Sequence, residues 1–337
     1  MNTTMNKRMV TRAPTLLART AGLVPWMLLT AAVWMVAANA QNPRYLWTVF
    51  SPWAEVGCLA VVMTPIILTG GIDLSVGSIV ALSGMVLGVL WHDAEWPIWM
   101  ATLAAVFTGT LAGSLNGWLV VIGMPPLVAT LATMAFFRGL AMAISNAQQV
   151  DRFPETFTDL TRIQGIPIQF WLLLVTVITC FVVVHFSRFG RSCFAIGDNR
   201  TASRFAAVPV ARVEWLLYSV SGLMCALVAI SNAIKQDVVL PDAQMGVELS
   251  AIACVVIGGT LITGGRGGVL RTVLGLAVVS NLDVGLNFLS SRISWLTGES
   301  RLIVIGVLLM VVAVLNEKAT RDKDRSALLT SGRGQNG

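Results

Sequence analysis

The stretch from Thr64 to Ser78, TPIILTGGIDLSVGS, decides the fold of this chain. It holds one carboxylate, Asp73, among glycines and small hydroxyl residues, and apolar runs flank it on both sides. An ionisable group is costly in hydrocarbon, so Asp73 is expected to line a polar path through protein rather than to face lipid. Gly70, Gly71 and Gly77 allow the backbone to leave helical geometry where a cavity solvates it. The stretch therefore predicts a broken helix in a transport protein.

The composition of the chain indicates an integral membrane protein. Hydrophobic residues make up 55% of the 337 residues and charged residues only 12%, and the mean hydropathy is +0.76. These values exclude a soluble globular protein. The net charge of +6 comes from basic residues in loops and tails between apolar runs. Membrane orientation explains that distribution better than nucleic-acid binding does.

The apolar runs predict an all-α, polytopic membrane protein with about ten transmembrane helices. A span needs about 20 mostly apolar residues, or fewer where a helix is broken or tilted. The predicted spans cover residues 22–38, 53–69, 76–91, 97–121, 126–145, 167–186, 213–233, 249–263, 268–289 and 301–315. Glycine-rich joints follow the second and the eighth span, which favours tight connections or broken helices there. The glycines assigned to these breaks are Gly70, Gly71, Gly77, Gly258, Gly259, Gly264, Gly265 and Gly267.

The basic residues orient the predicted spans. Most of the 23 Lys and Arg residues lie in the two tails, in the segment 187–212 and around Arg266 and Arg271, whereas the opposite loops collect acidic residues. By the positive-inside rule both termini are cytoplasmic, as an even number of spans requires. The predicted organisation is a basic cytoplasmic tail over 1–21, a transmembrane domain over 22–315 with a cytoplasmic loop at 187–212, and a disordered cytoplasmic tail over 316–337.

The first apolar run has an alternative interpretation as a signal peptide. Basic residues precede it, and Ala38-Asn39-Ala40 is similar to a small-residue cleavage site. The run is longer than a typical signal core, and its removal would leave nine spans and break the agreement with the charge distribution. A retained first span is therefore the favoured interpretation.

No catalytic or metal site is predicted on this chain. A nucleotide-binding P-loop needs a lysine beside its glycines, and each of the four lysines follows a residue other than glycine. His92 and His185 are far apart and lie outside any metalloprotease motif. The five cysteines contain no CxxC pair and lie mostly in apolar runs, where cysteine behaves as a small hydrophobe.

Several polar side chains lie within or at the ends of apolar runs and are candidates for a translocation pathway. Charged groups at depth need a partner or water, which favours the two aspartates and the arginine of this set. Asparagine and serine have the alternative role of helix-to-helix hydrogen bonding. The candidates are Asp73, Ser75, Asn116, Arg138, Asn232 and Asp283.

The segment 187–212 is the longest basic interruption of the apolar pattern. It contains a helix-compatible piece over 199–207, with Asp198 or Asn199 placed to cap its first turn. A short helix with arginines nearby suits docking of a soluble partner. A loop that only satisfies the positive-inside rule is the alternative, and charge alone favours it.

Six short stretches together resemble a known family. They are Gly70–Ser78, then FGR at 189–191, AIGDN at 195–199, ELSAIA at 248–253, IGGT at 257–260 and GGRG at 264–267. The chain resembles the membrane-spanning permease subunit of ribose-type bacterial sugar ABC importers, a group that includes ribose, xylose, rhamnose and autoinducer-2 permeases. The matches run in one order over most of the chain.

The resemblance implies a function and a set of partners. Such a permease lies in the bacterial inner membrane and pairs with a second permease, identical or related. It receives a monosaccharide from a periplasmic binding protein and is driven by a separate cytoplasmic ATPase that holds ATP and Mg, while the permease itself has no cofactor. The residues implied to couple to the ATPase are Arg188, Gly190, Arg191, Gly197, Asn199, Ala202 and Arg204. The sequence departs from the family at Arg200 and Thr201, where acidic residues are common.

Three other classes of function remain as alternatives, and each predicts different features of the sequence. An ion-coupled secondary transporter of a small polar solute would use Asp73 or Asp283 as a proton or cation site. An ABC permease of the branched-chain amino acid type has a similar architecture, with signatures that match this chain less well. A membrane enzyme is not supported by any recognisable catalytic constellation.

Overall fold

The computed structural model describes residues 43–290 and five positions outside that range, Thr30, Trp34, Ile303, Gly306 and Val307. The predicted tails over 1–21 and 316–337 lie outside the described residues. So do the predicted spans 22–38 and 301–315, apart from those five positions, which are helical.

Helices dominate the described range. In chain order they are α1 (Pro43–Leu68), α2 (Val76–His92), α3 (Ile98–Val121), α4 (Pro126–Ile144), α5 (Glu155–Thr158), α6 (Ile168–Phe186), α7 (Arg188–Asp198), α8 (Arg200–Phe205), α9 (Val210–Gln236), α10 (Val247–Ile257) and α11 (Val269–Ser290). A 3-10 turn covers Asp159–Thr161. The four two-residue strands are β1 (Val150–Asp151), β2 (Arg162–Ile163), β3 (Ile166–Pro167) and β4 (Val238–Val239).

Six helices are long and apolar enough to cross a membrane, namely α1, α3, α4, α6, α9 and α11. The chain is therefore a multi-pass membrane protein. Two shorter apolar helices, α2 and α10, each stand next to a glycine-rich joint. Short helices at such joints are expected where a span is broken inside protein rather than against lipid.

Within the described range, the predicted span limits agree with the helices to within three residues except at two places. Helix α1 begins at Pro43, ten residues before the predicted start, because proline at a first helical position needs no N–H partner and presets the backbone. Helix α10 ends at Ile257 instead of 263, because Gly259 at φ +89° and Gly264 at φ +88° turn the chain away from helical geometry.

The core lies between α1, α2, α9 and α10, whose buried side chains form one large apolar cluster. Helix α9 packs most extensively against α3. A Cβ atom at Gly109 or Gly113 of α3, or at Gly222 of α9, would overlap the facing backbone. Small residues at such a contact let two membrane helices approach closely.

Apolar side chains also cover the outer surface of α3 and α4. Leu103 and Phe107 of α3 are 69% and 68% exposed, and Phe136 of α4 is 59% exposed. Exposed side chains of this size on a helix of spanning length are expected to face lipid or another membrane-embedded subunit.

Gly77 and Gly258, which the sequence assigned to breaks, lie instead inside α2 and at the C-cap of α10. Neither has a positive φ. A Cβ at Gly77 would meet the carbonyl oxygen of Gln244, and one at Gly258 would overlap the carbonyl of Arg271. Both glycines therefore serve close backbone packing rather than a change of chain direction.

The short strands lie at the end of the molecule opposite to the segment 187–212. Strand β1 pairs antiparallel with β4, so that Val150 faces Val239 across the ladder. Asp237, at the end of α9, accepts a hydrogen bond from the Phe153 N–H at 2.8 Å. These contacts hold the connection between α4 and α6 against the end of α9.

Candidate functional site

Asp73 lies in the break between α1 and α2 and is completely buried. Its Oδ1 atom accepts hydrogen bonds from the Ser75 N–H at 3.0 Å and the Ser75 hydroxyl at 2.7 Å. Its Oδ2 atom accepts a bond from the Ser221 hydroxyl of α9 at 3.1 Å. Because Val76 begins α2, the carboxylate stands at a helix N-terminus, where unpaired N–H groups and the helix dipole favour negative charge.

Side chains from α3, α4 and α9 complete this buried polar cluster. The Asn116 amide donates to the Ser75 hydroxyl at 2.6 Å. The Thr130 and Tyr218 hydroxyls donate to the carbonyl oxygen of Ile72 at 3.2 and 3.5 Å. Three of the six pathway candidates, Asp73, Ser75 and Asn116, are thus brought together, and each is 0% exposed.

The other three pathway candidates lie elsewhere. Arg138 of α4 is half-buried and donates to the carbonyl oxygens of Pro241 and Ala243 at 3.1 and 2.7 Å. Asp283 of α11 accepts a hydrogen bond from the Trp53 indole at 3.2 Å. Asn232, the third, lies near the far end of α9. The six candidates therefore do not form one continuous site, and their role in translocation stays a prediction.

Glu55 of α1 is a buried carboxylate that the sequence analysis missed. It is 2% exposed, and its Oε2 atom accepts hydrogen bonds from the Asn232 amide at 3.0 Å and the Gln244 amide at 2.9 Å. A check of every acidic residue inside the predicted spans would have found it, since Glu55 lies in the span 53–69. Its two partners are distant in sequence and only the fold brings them to it.

A cavity of about 250 Å³ lies beside these amides, between α2, the far end of α9 and the connection to α10. Its lining combines amide side chains with apolar groups. Among the lining residues are Asn232, Gln236, Gln244, Val80, Gly84 and Val239.

The segment 187–212 folds into two short helices, α7 and α8. Of the two predicted caps, Asp198 and Asn199, it is Asn199 that caps α8, because its side-chain oxygen accepts the Ala202 N–H at 2.9 Å. That helix ends at Phe205, two residues before the predicted limit. Helix α7 was missed, although Ser187 caps it in the same way by accepting the Gly190 N–H at 3.1 Å.

The two helices present an exposed basic surface with one aromatic ring. Five of the seven predicted coupling residues are exposed, namely Arg188, Arg191, Asn199, Ala202 and Arg204. Phe205 is 90% exposed, which is unusual for a large apolar side chain outside an interaction surface. The sequence analysis did not single it out.

Arg200 and Glu214 join α8 to α9. The Arg200 guanidinium donates to the Glu214 carboxylate at 2.7 Å, and the Glu214 side chain is 7% exposed. A charge-assisted bond to a buried carboxylate restrains α8 more than a surface ion pair does. The departure from the family pattern at Arg200 thus has a structural role in this chain.

Backbone packing connects α7 to both glycine-rich joints. A Cβ at Gly197 would overlap the carbonyl oxygen of Leu68, the last residue of α1, and would crowd the N–H of Gly265. The Gly265 N–H itself donates to that same Leu68 oxygen at 2.9 Å. We call Leu68, Gly197, Gly264 and Gly265 the glycine junction.

Gly190 has a related role at the start of α7. A Cβ there would overlap the carbonyl oxygen of Val184 near the end of α6. Of the seven residues implied to couple to an ATPase, Gly190 and Gly197 thus hold α7 against the membrane helices, and the other five face outward. Their action on an ATPase stays a prediction.

Metal ligands do not converge within the described part of the chain, where no group of three or more His, Cys, Asp or Glu residues is placed to hold an ion. All five cysteines lie in the described range and are free thiols, and four of them are buried. The expectation about cofactors stays a prediction.

Comparison with known proteins assigns the family. Residues 46–313 match the family described as branched-chain amino acid transport system / permease component. The chain belongs to this family. The match covers the α1–α2 break, the segment 187–212 and the joint between α10 and α11. No solved structure gives a significant match to the chain.

Curated relatives in this family are import permeases. Over 303 residues the chain is 30% identical to the ribose import permease protein RbsC of Escherichia coli K12, which covers 88% of this chain and 92% of that protein. It is 36% identical to the fructose import permease protein FruG of Bifidobacterium longum, over 80% of this chain and 82% of that protein. It is 33% identical to the autoinducer 2 import system permease protein LsrD of Yersinia enterocolitica, over 70% of this chain and 74% of that protein.

Proposed function

We propose that this chain is the membrane-spanning permease subunit of a bacterial ABC importer that carries a monosaccharide inward. One observation carries the proposal beyond family membership. The exposed α7–α8 surface is tied by the glycine junction to the ends of two broken helices. The exposed side of α7 and α8 can bind a partner, and the side packed at the glycine junction can pass a movement of that partner to the broken helices.

The energy source in this proposal is a separate ATPase that binds ATP and Mg. Its docking surface is α7 and α8, with Arg188, Arg191 and Arg204 giving charge complementarity and Phe205 giving an apolar anchor. Movement of α7 would shift Leu68 and the turn at Gly264–Gly265 together, because their backbones are in contact. Both positions lead directly into glycine-rich breaks.

The proposed topology has ten spans and two cytoplasmic termini. Six long helices and the two short helices α2 and α10 account for eight. The predicted spans 22–38 and 301–315 bring the total to ten, which is consistent with the positive-inside rule. The tails over 1–21 and 316–337 and the segment 187–212 are then cytoplasmic, and the β1–β4 end faces the periplasm.

The proposed assembly has three further components. A periplasmic sugar-binding protein delivers the solute to the β1–β4 end, a second permease subunit completes the membrane pathway, and the ATPase drives the cycle from the cytoplasm. The relatives named for ribose, fructose and autoinducer 2 import support a small polyhydroxylated solute as the cargo. The location is the bacterial inner membrane.

The test of this proposal is co-purification of the ATPase with variants of the docking surface. Deletion of residues 199–207, or Arg191→Glu, is expected to abolish or strongly reduce recovery of the ATPase while the permease still inserts. Arg152→Glu, which reverses another exposed charge in the connection between α4 and α6, is the matched control and is expected to leave recovery unchanged. Normal recovery with the 199–207 deletion would refute docking at this surface.

A further inference from the structure

Glu55 holds two amides in fixed positions at the edge of the 250 Å³ cavity. Its Oε2 atom accepts from both Asn232 and Gln244, which come from α9 and from the connection to α10. Within the described part of the chain, this is the only side-chain hydrogen bond that either amide makes. The carbonyl oxygen and the second amino hydrogen of each side chain therefore stay available for another group.

The second oxygen of Glu55 lies away from the solute space. Oε1 is buried and has no hydrogen-bond partner among the described residues, and Glu55 is not one of the residues that line the cavity. Glu55 therefore acts on a solute through Asn232 and Gln244, whose amides it orients.

The cavity lies at the β1–β4 end of the membrane domain. Gln236 and Leu240 at its edge are exposed, whereas Val80 and Ala229 at its base are buried. Arg138 fixes the neighbouring connection by its two bonds to the carbonyls of Pro241 and Ala243. The site is thus preformed and reachable from the side on which the binding protein docks in the proposed assembly.

The uncharged lining of the cavity favours a neutral solute. The lining residues among those that the structure describes include no Asp, Glu, Lys or Arg. Amides that offer both donors and acceptors beside apolar walls match a polyhydroxylated compound with apolar C–H surfaces.

We propose that this cavity, named here the amide cavity, is a transient binding site for a neutral monosaccharide on its way from the binding protein into the membrane pathway. Asn232 and Gln244 contact the solute, and Glu55 is a positioning residue that orients both amides. The volume of about 250 Å³ is below the roughly 300–1,000 Å³ of sites for drug-sized ligands, as suits a single sugar ring. The inference rests on the proposed function and deepens it.

The test is protection of an introduced thiol in the intact permease–ATPase complex in lipid nanodiscs. Ala243→Cys places a thiol in the lining of the cavity, and a hydrophilic maleimide reports its accessibility. D-ribose and D-fructose at 50 mM are expected to slow labelling at least threefold. Thr156→Cys, an exposed position on the same end outside the cavity, is the control whose labelling sugar leaves unchanged.

A second variant separates binding from a general structural effect. Adding Asn232→Ala to Ala243→Cys is expected to remove the protection while the control thiol still labels at its normal rate. The methyl group that Gly84→Ala adds makes ordinary contact with Val239 in the lining and reduces the space in the cavity. It is therefore expected to weaken protection by fructose, the larger sugar, more than protection by ribose. Protection that survives Asn232→Ala would overturn the assignment of the amides.

The failure of this inference and the failure of the proposed function give different results. Uptake of a labelled monosaccharide by cells with the complete system, together with no protection at Ala243→Cys by that sugar, would refute the amide cavity and leave the proposed function intact. Absence of uptake of any monosaccharide by the complete system would refute the proposed function itself.

Discussion

At the scale of single residues, Asp73 shows how a carboxyl group is held in a membrane domain by hydrogen bonds from neutral groups. Three donors from Ser75 and Ser221 bind its oxygens, and α2 begins just after it. Hydrogen bonds to a charged group contribute about 1.5–3 kcal/mol each, and a helix N-terminus adds to this. Asp73 thus bridges Ser75 at the start of α2 and Ser221 of α9, and so fixes the break between α1 and α2.

Asp73→Asn is therefore expected to impair transport by loosening the break rather than by blocking a proton path. An asparagine at this position keeps one acceptor oxygen and turns a donor toward either Ser75 or Ser221. We expect a lower thermal unfolding midpoint of the purified permease and a reduced uptake rate at every external pH tested. Asp151→Asn, at an exposed position, is the control. Wild-type uptake and stability in the Asp73 variant would show that the carboxylate is dispensable.

Phe205 is the residue with the clearest expected effect on ATPase docking. Burial of a phenylalanine side chain at an interface contributes about 1.5–3 kcal/mol, which is roughly a tenfold change in affinity or more. Phe205→Ala is expected to weaken binding of the ATPase by that factor in a titration with detergent-solubilised permease. Phe107→Ala removes another exposed phenylalanine ring, from the outer surface of α3, and should leave ATPase affinity unchanged. Equal affinity in both variants would exclude Phe205 from the docking surface.

At the scale of elements, the glycine junction is the connection on which coupling depends. The last residue of α1, the turn between α10 and α11, and α7 meet there through backbone atoms. Side chains between packed elements can adjust their rotamers, whereas direct backbone contact leaves little room to absorb movement. A displacement of α7 is therefore passed to both breaks.

Gly197→Ala is expected to separate ATP hydrolysis from transport. The added Cβ would overlap the Leu68 carbonyl oxygen, so α7 has to move away from α1. The ATPase should still co-purify, because the outward-facing arginines and Phe205 are unchanged, while uptake per ATP hydrolysed falls several-fold. Gly139→Ala adds the same methyl group on α4 where no atom lies within 4 Å, and should behave as wild type. Unchanged coupling in the Gly197 variant would remove the junction from the mechanism.

The membrane-spanning helices, and with them the all-α fold class, could be predicted from the sequence, because a span is encoded by its local apolar content. The cap of α8 was also local information: the sequence narrowed it to Asp198 or Asn199, and the structure has Asn199. The contacts of Glu55 could not be predicted, since its partners Asn232 and Gln244 are brought to it only by packing of α1 against α9 and α10. The same limit applies to Gly77, whose glycine-rich surroundings suggested a break while its tertiary contacts require close packing.

At the scale of the whole molecule, two polar regions lie at opposite ends of an apolar helical domain. The basic α7–α8 surface is at one end and the amide cavity is at the other, with the buried Asp73 cluster in the α1–α2 break. The Asp73 cluster is fully buried in this conformation, so passage of a solute requires the breaks to open. We propose that the separate ATPase supplies the work for this opening.

Uptake into proteoliposomes of defined composition tests that claim most directly. The permease reconstituted with its ATPase and its sugar-binding protein is expected to accumulate labelled monosaccharide when ATP is supplied on the ATPase side. The permease alone is expected to accumulate none, with or without a proton or sodium gradient. Accumulation by the permease alone, driven by an ion gradient and indifferent to ATP, would contradict the account and make this chain a secondary transporter.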